Sequence, residues 1–465
     1  MNKVIFPAIS MLILTATAAI GLNSCKVRTT QTVDLMDSIR YEKSMPEWAK
    51  NSNIYEVNTR QYTPEGTFKA FGKQLPRLKA MGVDIIWLMP INPIGQKNRK
   101  GTLGSYYSIQ NYKEINPEFG TKKDFKELVA EAHKLGMHVI IDWVANHTAW
   151  DNVWVKSHPD WYTRDSNGNM MIPAGTDWKD AADLNYDKPA LRKAMIDAMS
   201  YWIKYADIDG FRCDVAFMIP VNFWMHARRA IDELKPNCFF LAEAGDPLQH
   251  KAFDMTYDWP LKDVINDMAK GKKNVTDLVK LLNEEQKKFS PKDLRMQFIT
   301  NHDINTWDGS EYERLGKAPV DAFTVLTYTI PGMPLIYTGQ EEPISKRLRF
   351  FDKDTVGFNK FEKKGFYTKL NQLKKENKAL WNITYGGNFK IMRNSNPENI
   401  LTFTRLKEEN SVLCLFNFSG KEQSFKILDI TPENISNYLG EKLTVTKDST
   451  YKLKAWGYSV FVSGK

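Results

Sequence analysis

Gly210-Phe211-Arg212-Cys213-Asp214 is a short run, apolar apart from Arg212, that ends in an acid, and three other runs share its design: Val139-Ile140-Ile141-Asp142, Phe239-Phe240-Leu241-Ala242-Glu243 and Phe298-Ile299-Thr300-Asn301-His302-Asp303. Four to six apolar residues between turn signals read as a buried strand. A carboxylate at the end of such a strand is costly to bury without a use. Four of them on separate strands imply that the strand ends converge on one polar site. Parallel barrels place their sites at the C-terminal ends of their strands.

Outward from these runs, strand and helix patterns alternate from about residue 46 to 384. The strand of the fourth run is expected at Gln297–Thr300, and four further strands at Ile54–Val57, Asp84–Leu88, Ala252–Tyr257 and Leu335–Thr338, with helical spacing in Lys123–Leu135, Ala190–Tyr205 and Val275–Lys288. Eight alternations predict a (β/α)8 TIM barrel. Residues 146–187 form a loop-rich insertion after the third strand, carrying Trp150, Trp154, Trp161 and Trp178. Loops that long inside a domain are usually functional. From 385 to 465 short alternating runs such as Asn399–Arg405, Ser411–Phe418 and Tyr458–Val462 predict a C-terminal all-β sandwich.

Residues 1–24 read as a lipoprotein signal peptide: Lys3, an apolar stretch from Val4 to Ile20, then Leu22-Asn23-Ser24-Cys25. The resemblance of that last run to a bacterial lipobox implies cleavage before Cys25 and acylation of its thiol, followed by a polar linker over 25–45. The alternative, an uncleaved anchor, is weakened by Pro7 and the interspersed Ser and Thr. The expectation is a lipid-anchored protein of the bacterial cell envelope. Cys213, Cys238 and Cys414 read as buried hydrophobes. The net charge is +9, but Lys is spread along the chain without aromatic-rich basic clusters, which argues against nucleic acid as a partner. Thirteen Trp and nineteen Tyr fit either a large core or rings that stack on sugars.

Arg212 and Asp214 lie two apart on one strand and share a face. A guanidinium beside Asp214 is expected to hold it ionised, as a nucleophile needs, while desolvation of Glu243 suits a proton donor. Two carboxyls driven apart in this way mark paired acid and nucleophile roles. The bland alternative is that each acid forms only a structural ion pair.

These residues together resemble the α-amylase family (glycoside hydrolase family 13). The resemblance is carried by Asp142-Trp143-Val144-Ala145-Asn146-His147, Gly210–Asp214, Glu243, Asn301-His302-Asp303, Ala182-Asp183-Leu184-Asn185, Gly82–Pro90, Pro331–Glu341 and Gly104-Ser105-Tyr106-Tyr107 through Tyr112. It implies that Asp214 is the nucleophile, Glu243 the acid/base and Asp303 the third catalytic acid. It implies that Tyr107, Asp142, His147, Arg212 and His302 bind substrate or support the network. The implied activity is retaining hydrolysis of α-glucosidic bonds, α-1,4 first, in starch-like glucans or maltooligosaccharides, with no cofactor needed for chemistry. Alternatives are α-1,6 or exo action, glucan transfer, and a non-catalytic glycan-binding lipoprotein. Many family members follow the nucleophile with Ala-x-Lys-His, whereas this chain has Val215-Ala216-Phe217-Met218. That departure puts leaving-side contacts and a structural calcium in question. Asn146 would be a calcium ligand, and the metal assignment stays open. Val215 is a faint pointer to α-1,6 bonds.

Overall fold

The computed structural model describes residues 43–443 and 448–463. The expected signal peptide, Cys25 and nearly all of the linker lie outside the described residues. The strands, in chain order, are β1 (Ile54–Val57), β2 (Ile85–Leu88), β3 (His138–Trp143), the short antiparallel pair β4 (His147–Thr148) and β5 (Ala182–Asp183), then β6 (Gly210–Cys213), β7 (Phe239–Ala242), β8 (Met255–Tyr257), β9 (Leu294–Gln297) and β10 (Met333–Tyr337). Eight of them close a parallel barrel in the order β1-β10-β9-β8-β7-β6-β3-β2.

Inward side chains such as Ile54, Trp87, Ile140, Leu241, Met296 and Leu335 fill the barrel. Outward ones pack against amphipathic helices whose ends are set by local chemistry. Thr121 and Asp124 form a capping box on Lys122–Lys134, Asn274 and Asp277 do the same on Val275–Lys288, and Pro189 opens Pro189–Ala206. Gly210 has a reason to be glycine. Its φ is +150°, and a Cβ there would meet the Phe239 carbonyl oxygen at 1.9 Å, so only glycine lets β6 lie this close to β7.

One expected strand is displaced. The seventh barrel strand is Leu294–Gln297, not Gln297–Thr300. Its sequence alternates apolar and polar, so it lacks the continuous apolar run of its neighbours. The run Phe298–Thr300 instead leaves the barrel and delivers Asn301-His302-Asp303 to the mouth. The sixth strand is confined to the last three residues of its expected run.

The C-terminal part contains β11 (Asn388–Ile391), β12 (Ile400–Lys407), β13 (Asn410–Asn417), β14 (Gln423–Phe425), β15 (Ser436–Gly440), β16 (Tyr451–Leu453) and β17 (Tyr458–Ser463). A five-stranded sheet, β11-β12-β13-β17-β15, faces the β14-β16 pair. Ile400, Leu413 and Leu415 pack toward Phe425 and Leu453, whereas Phe403, Val412, Cys414 and Phe416 join the barrel's helical core. Cys213, Cys238 and Cys414 are buried free thiols. Among the described residues no helix is long and apolar enough to cross a membrane.

Candidate active site

Strand register builds the site. Parallel pairing sets Asp142 of β3 beside Arg212 of β6, and Arg212 beside Leu241 of β7, which leads into Glu243. Arg212 is fully buried and reaches three carboxylates. Its Nη1 donates to Asp142 Oδ1 at 2.8 Å and to Asp214 Oδ1 at 3.0 Å, and its Nη2 lies 2.8 Å from Glu243 Oε2. The last is a charge contact rather than an aligned hydrogen bond, since Nη2 has no partner of proper geometry among the described residues. Nε donates to Tyr257 Oη at 3.1 Å.

Val215, directly after Asp214, is a β-branched residue in the left-handed region (φ 36°, ψ 45°). Such a conformation costs on the order of 1–3 kcal/mol. It turns the Val215 N–H onto Glu243 Oε2 at 2.8 Å. Glu243 Oε2 thus faces both Val215 N and Arg212, which leaves Oε1 for a reacting group.

Above this network lies a cleft of about 450 Å³, lined by Tyr107, His147, Asp214, Glu243, His302 and Asp303 among others. Six of the expected site residues therefore meet in one cavity. Asp142 and Arg212 are not among the residues that line it; at 1% and 0% exposure they lie beneath its floor, where a supporting role in the network was one of the two expectations for them. Trp87 Nε1 and Tyr107 Oη both donate to Asp142 Oδ2, at 3.3 and 3.1 Å.

The structure adds a residue that sequence reasoning missed. Glu56, on β1, is fully buried and accepts a hydrogen bond from His302 Nδ1. His302 Nε2 is 2.8 Å from Tyr107 Oη and 3.3 Å from Asp303 Oδ2. Burial opposes charge on this ring, but Asp303 and Glu56 outweigh it and push His302 up to about 9. His147 goes the other way: burial lowers it to about 4, so it is a neutral imidazole at neutral pH. The signal for Glu56 was present, a lone acid inside the apolar run Ile54-Tyr55-Glu56-Val57.

The expected ionisation of Asp214 also changes. Burial raises its carboxyl well above the ordinary range; Arg212 pulls it down, but Glu243, Asp142 and Asp303 push it up again. One guanidinium is shared among three carboxylates, so it does not belong to Asp214 alone. With Glu56 and Asp303 included, five carboxyls face two cations, and the excess negative charge favours retention of a proton within the cluster.

Aromatic side chains line the rim. Trp307, 52% exposed, packs on Phe350 (5.3 Å between centroids), and Phe350 stacks on Tyr107 at 6.2 Å. Trp178 of the insertion lies 5.3 Å from the His147 ring. Lys100 pairs with Asp180 at 3.0 Å, tying the loop after β2 to the insertion along one wall.

The model for "Alpha amylase, catalytic domain" matches residues 40–382. The chain belongs to the α-amylase family. It is 27% identical over 428 residues to "Alpha-amylase 2" of Dictyoglomus thermophilum, covering 82% of this chain and 72% of that one. Among solved structures it is similar to an α-amylase from Lactobacillus plantarum, with a TM-score of 0.80, 31% identity, and 90% of this chain and 100% of that chain covered. It is also similar to "a noncanonic maltogenic alpha-amylase AmyB from Thermotoga neapolitana", with a TM-score of 0.77, 32% identity, and 90% and 97% covered. This family member is accordingly a glycoside hydrolase.

A structural calcium takes roughly six to eight oxygen ligands, from carboxylates, amide and backbone carbonyls and water. Asn146 is buried with its amide nitrogen 3.4 Å from His147 Nδ1. Among the described residues no three His, Cys, Asp or Glu side chains converge in a metal-binding group.

Proposed function

We propose that the protein hydrolyses α-1,4-glucosidic bonds of starch-like glucans or maltooligosaccharides by double displacement with retention. One observation carries this reading: Asp214 and Glu243 border one cleft and both reach the same guanidinium. Retaining glycosidases hold their two carboxyls about 5–5.5 Å apart, and a shared Arg212 is compatible with that spacing.

In this reading Asp214 attacks the anomeric carbon as Glu243 Oε1 protonates the departing glycosidic oxygen. The C–O bond breaks and a glycosyl ester forms on Asp214. A water then enters, gives its proton to Glu243 and attacks the same carbon, and the ester bond breaks to restore Asp214. Asp303, His302 and His147 hold the sugar hydroxyls, with the charged His302 as a donor. Tyr107 forms a ring surface under the sugar. Arg212 and Asp142 act from below as positioning residues.

A second reading, exo action or α-1,6 specificity, is favoured by the Lys100–Asp180 wall and by Val215 at the cleft. Product analysis after incubation with starch, pullulan, maltotriose and isomaltose separates the two. Asp214→Asn abolishes turnover of all four while the folded state persists; activity near that of the unaltered enzyme would sink the nucleophile assignment.

We also infer an envelope location, with acyl chains on Cys25. Support comes from Leu22-Asn23-Ser24-Cys25 following the apolar stretch. Metabolic labelling with a radioactive fatty acid should mark the protein and not its Cys25→Ser variant. Equal labelling of both would refute it.

A further inference from the structure

The outer face of β9 breaks a rule of this fold. Strands of a parallel barrel are buried on both faces and are apolar on both. On five other strands the outward residues Ile86, Ile141, Phe211, Phe240 and Ile336 belong to the helix-side core, and the one polar outward neighbour, Thr256 of β8, is itself a partner of β9. On β9, Leu294 and Met296 point into the barrel, so Arg295 and Gln297 point outward. They are 6% and 2% exposed.

These two residues form the floor of a cavity of about 740 Å³, larger than the catalytic cleft and sharing no lining residue with it. It opens between the helix Val275–Lys288 and the β11–β12 edge of the C-terminal sheet. Its size falls within the roughly 300–1,000 Å³ typical of small-ligand sites.

The floor is held rigid. Arg295 Nη1 donates to Thr256 Oγ1 at 3.0 Å, and Nη2 lies 3.4 Å from Asp258 Oδ1 and 3.3 Å from Glu285 Oε2. Its guanidinium sits 3.9 Å from the Phe289 ring centroid. Gln297 Nε2 donates to Asp258 Oδ2 at 3.1 Å and to the Pro331 carbonyl at 3.0 Å. Arg295 Nε and Gln297 Oε1, one donor and one acceptor, have no hydrogen-bond partner among the described residues. Arg405, also buried, uses Nε on the Gly387 carbonyl and Nη1 on the Thr329 carbonyl.

The chemistry selects the class of ligand. Asp258 and Glu285 offset Arg295 and Arg405, and the rim adds Asp293, Lys407 and Glu408, of both signs. No strong net charge exists to attract an ion. Trp381 and Phe389 present aromatic surface, with Trp381 anchored by Nε1 on the Lys375 carbonyl. Aromatic walls over a floor of mixed donors and acceptors suit a neutral ring that has hydroxyls on its edge and C–H groups on its faces.

We propose that this cavity is a second, non-catalytic carbohydrate site that holds one or two glucosyl units of an α-glucan away from the cleft. The proposal rests on the α-glucan reading of the active site. Full-length Asp214→Asn protein, titrated calorimetrically with maltoheptaose, should show two sites. Adding Gln286→Trp, a change at an exposed helix position on the cavity wall, should remove one site and leave the other. In the otherwise unaltered enzyme, Gln286→Trp should preserve kcat on maltotriose and cut retention on insoluble starch several-fold. Phe389→Ala, checked for unchanged melting, should act in the same way.

A single site in Asp214→Asn, or two sites untouched by both cavity variants, would overturn the proposal while hydrolysis by the unaltered enzyme keeps the activity reading intact. Cavity-dependent binding without hydrolysis of any α-glucan would overturn the activity reading alone. One site together with no hydrolysis would overturn both.

Discussion

Replacing Glu56 with Gln tests the electrostatic design of the site without disturbing its shape. Glu56 is fully buried against His302, which it helps to hold charged up to about pH 9. The rise from 6.5 to about 9 corresponds to roughly 3 kcal/mol in favour of the imidazolium, at about 1.4 kcal/mol per pH unit. Asp303 and Glu56 supply it against burial. Loss of the Glu56 charge is expected to lower the ring's proton affinity about tenfold, or about 1.4 kcal/mol. His302 has a raised pKa in the fold, so its contribution to stability is fully present below about 6.5 and is lost as pH rises through about 9. In Glu56→Gln that loss arrives about one pH unit earlier. The assay is kcat/KM on maltotriose from pH 5 to 10, with the His302 ring followed by NMR and assigned through His302→Asn. The alkaline limb should move down by about one unit, while rates near pH 5.5 stay close to those of the unaltered enzyme. An unmoved limb together with an unmoved His302 titration would refute the reasoning.

Arg212→Met strands Asp142, Asp214 and Glu243 without their shared cation; a loss of about 3–5 kcal/mol is expected at pH 7, shrinking toward pH 4.5 as the carboxyls take up protons, and urea midpoints at the two pH values check it. Phe217, 61% exposed and three residues after Asp214, stands where leaving-side contacts are expected. Phe217→Ala should raise KM for maltotetraose about fivefold, roughly 1 kcal/mol of lost ring contact, with an unchanged melting temperature. Thermal melting before and after exhaustive chelation decides whether this chain holds calcium: a fall of several degrees shows an ion that stabilises the folded state, and a shift within about 1 °C shows that none contributes.

Local sequence determined a good deal. Acids closing apolar runs marked β3, β6 and β7, and the order of the motifs carried the family resemblance, because a barrel puts strand ends on one rim by construction. The Arg212–Asp214 pair is a local feature of one strand, legible without a fold. The length of the insertion marked it as functional in the same way.

What only tertiary structure decided concerns which charges meet. The sequence assigned Arg212 to Asp214, but the parallel register also brings it Asp142 from β3 and Glu243 from beyond β7, so one cation serves three acids. Glu56 and His302 are 246 positions apart and touch because β1 and the loop after β9 open onto the same barrel interior. The outward polar face of β9 hid that strand from a reading based on apolar runs. Burial, pairing and proton affinity depend on distance through space, and periodicity along a chain encodes only the face on which each residue lies.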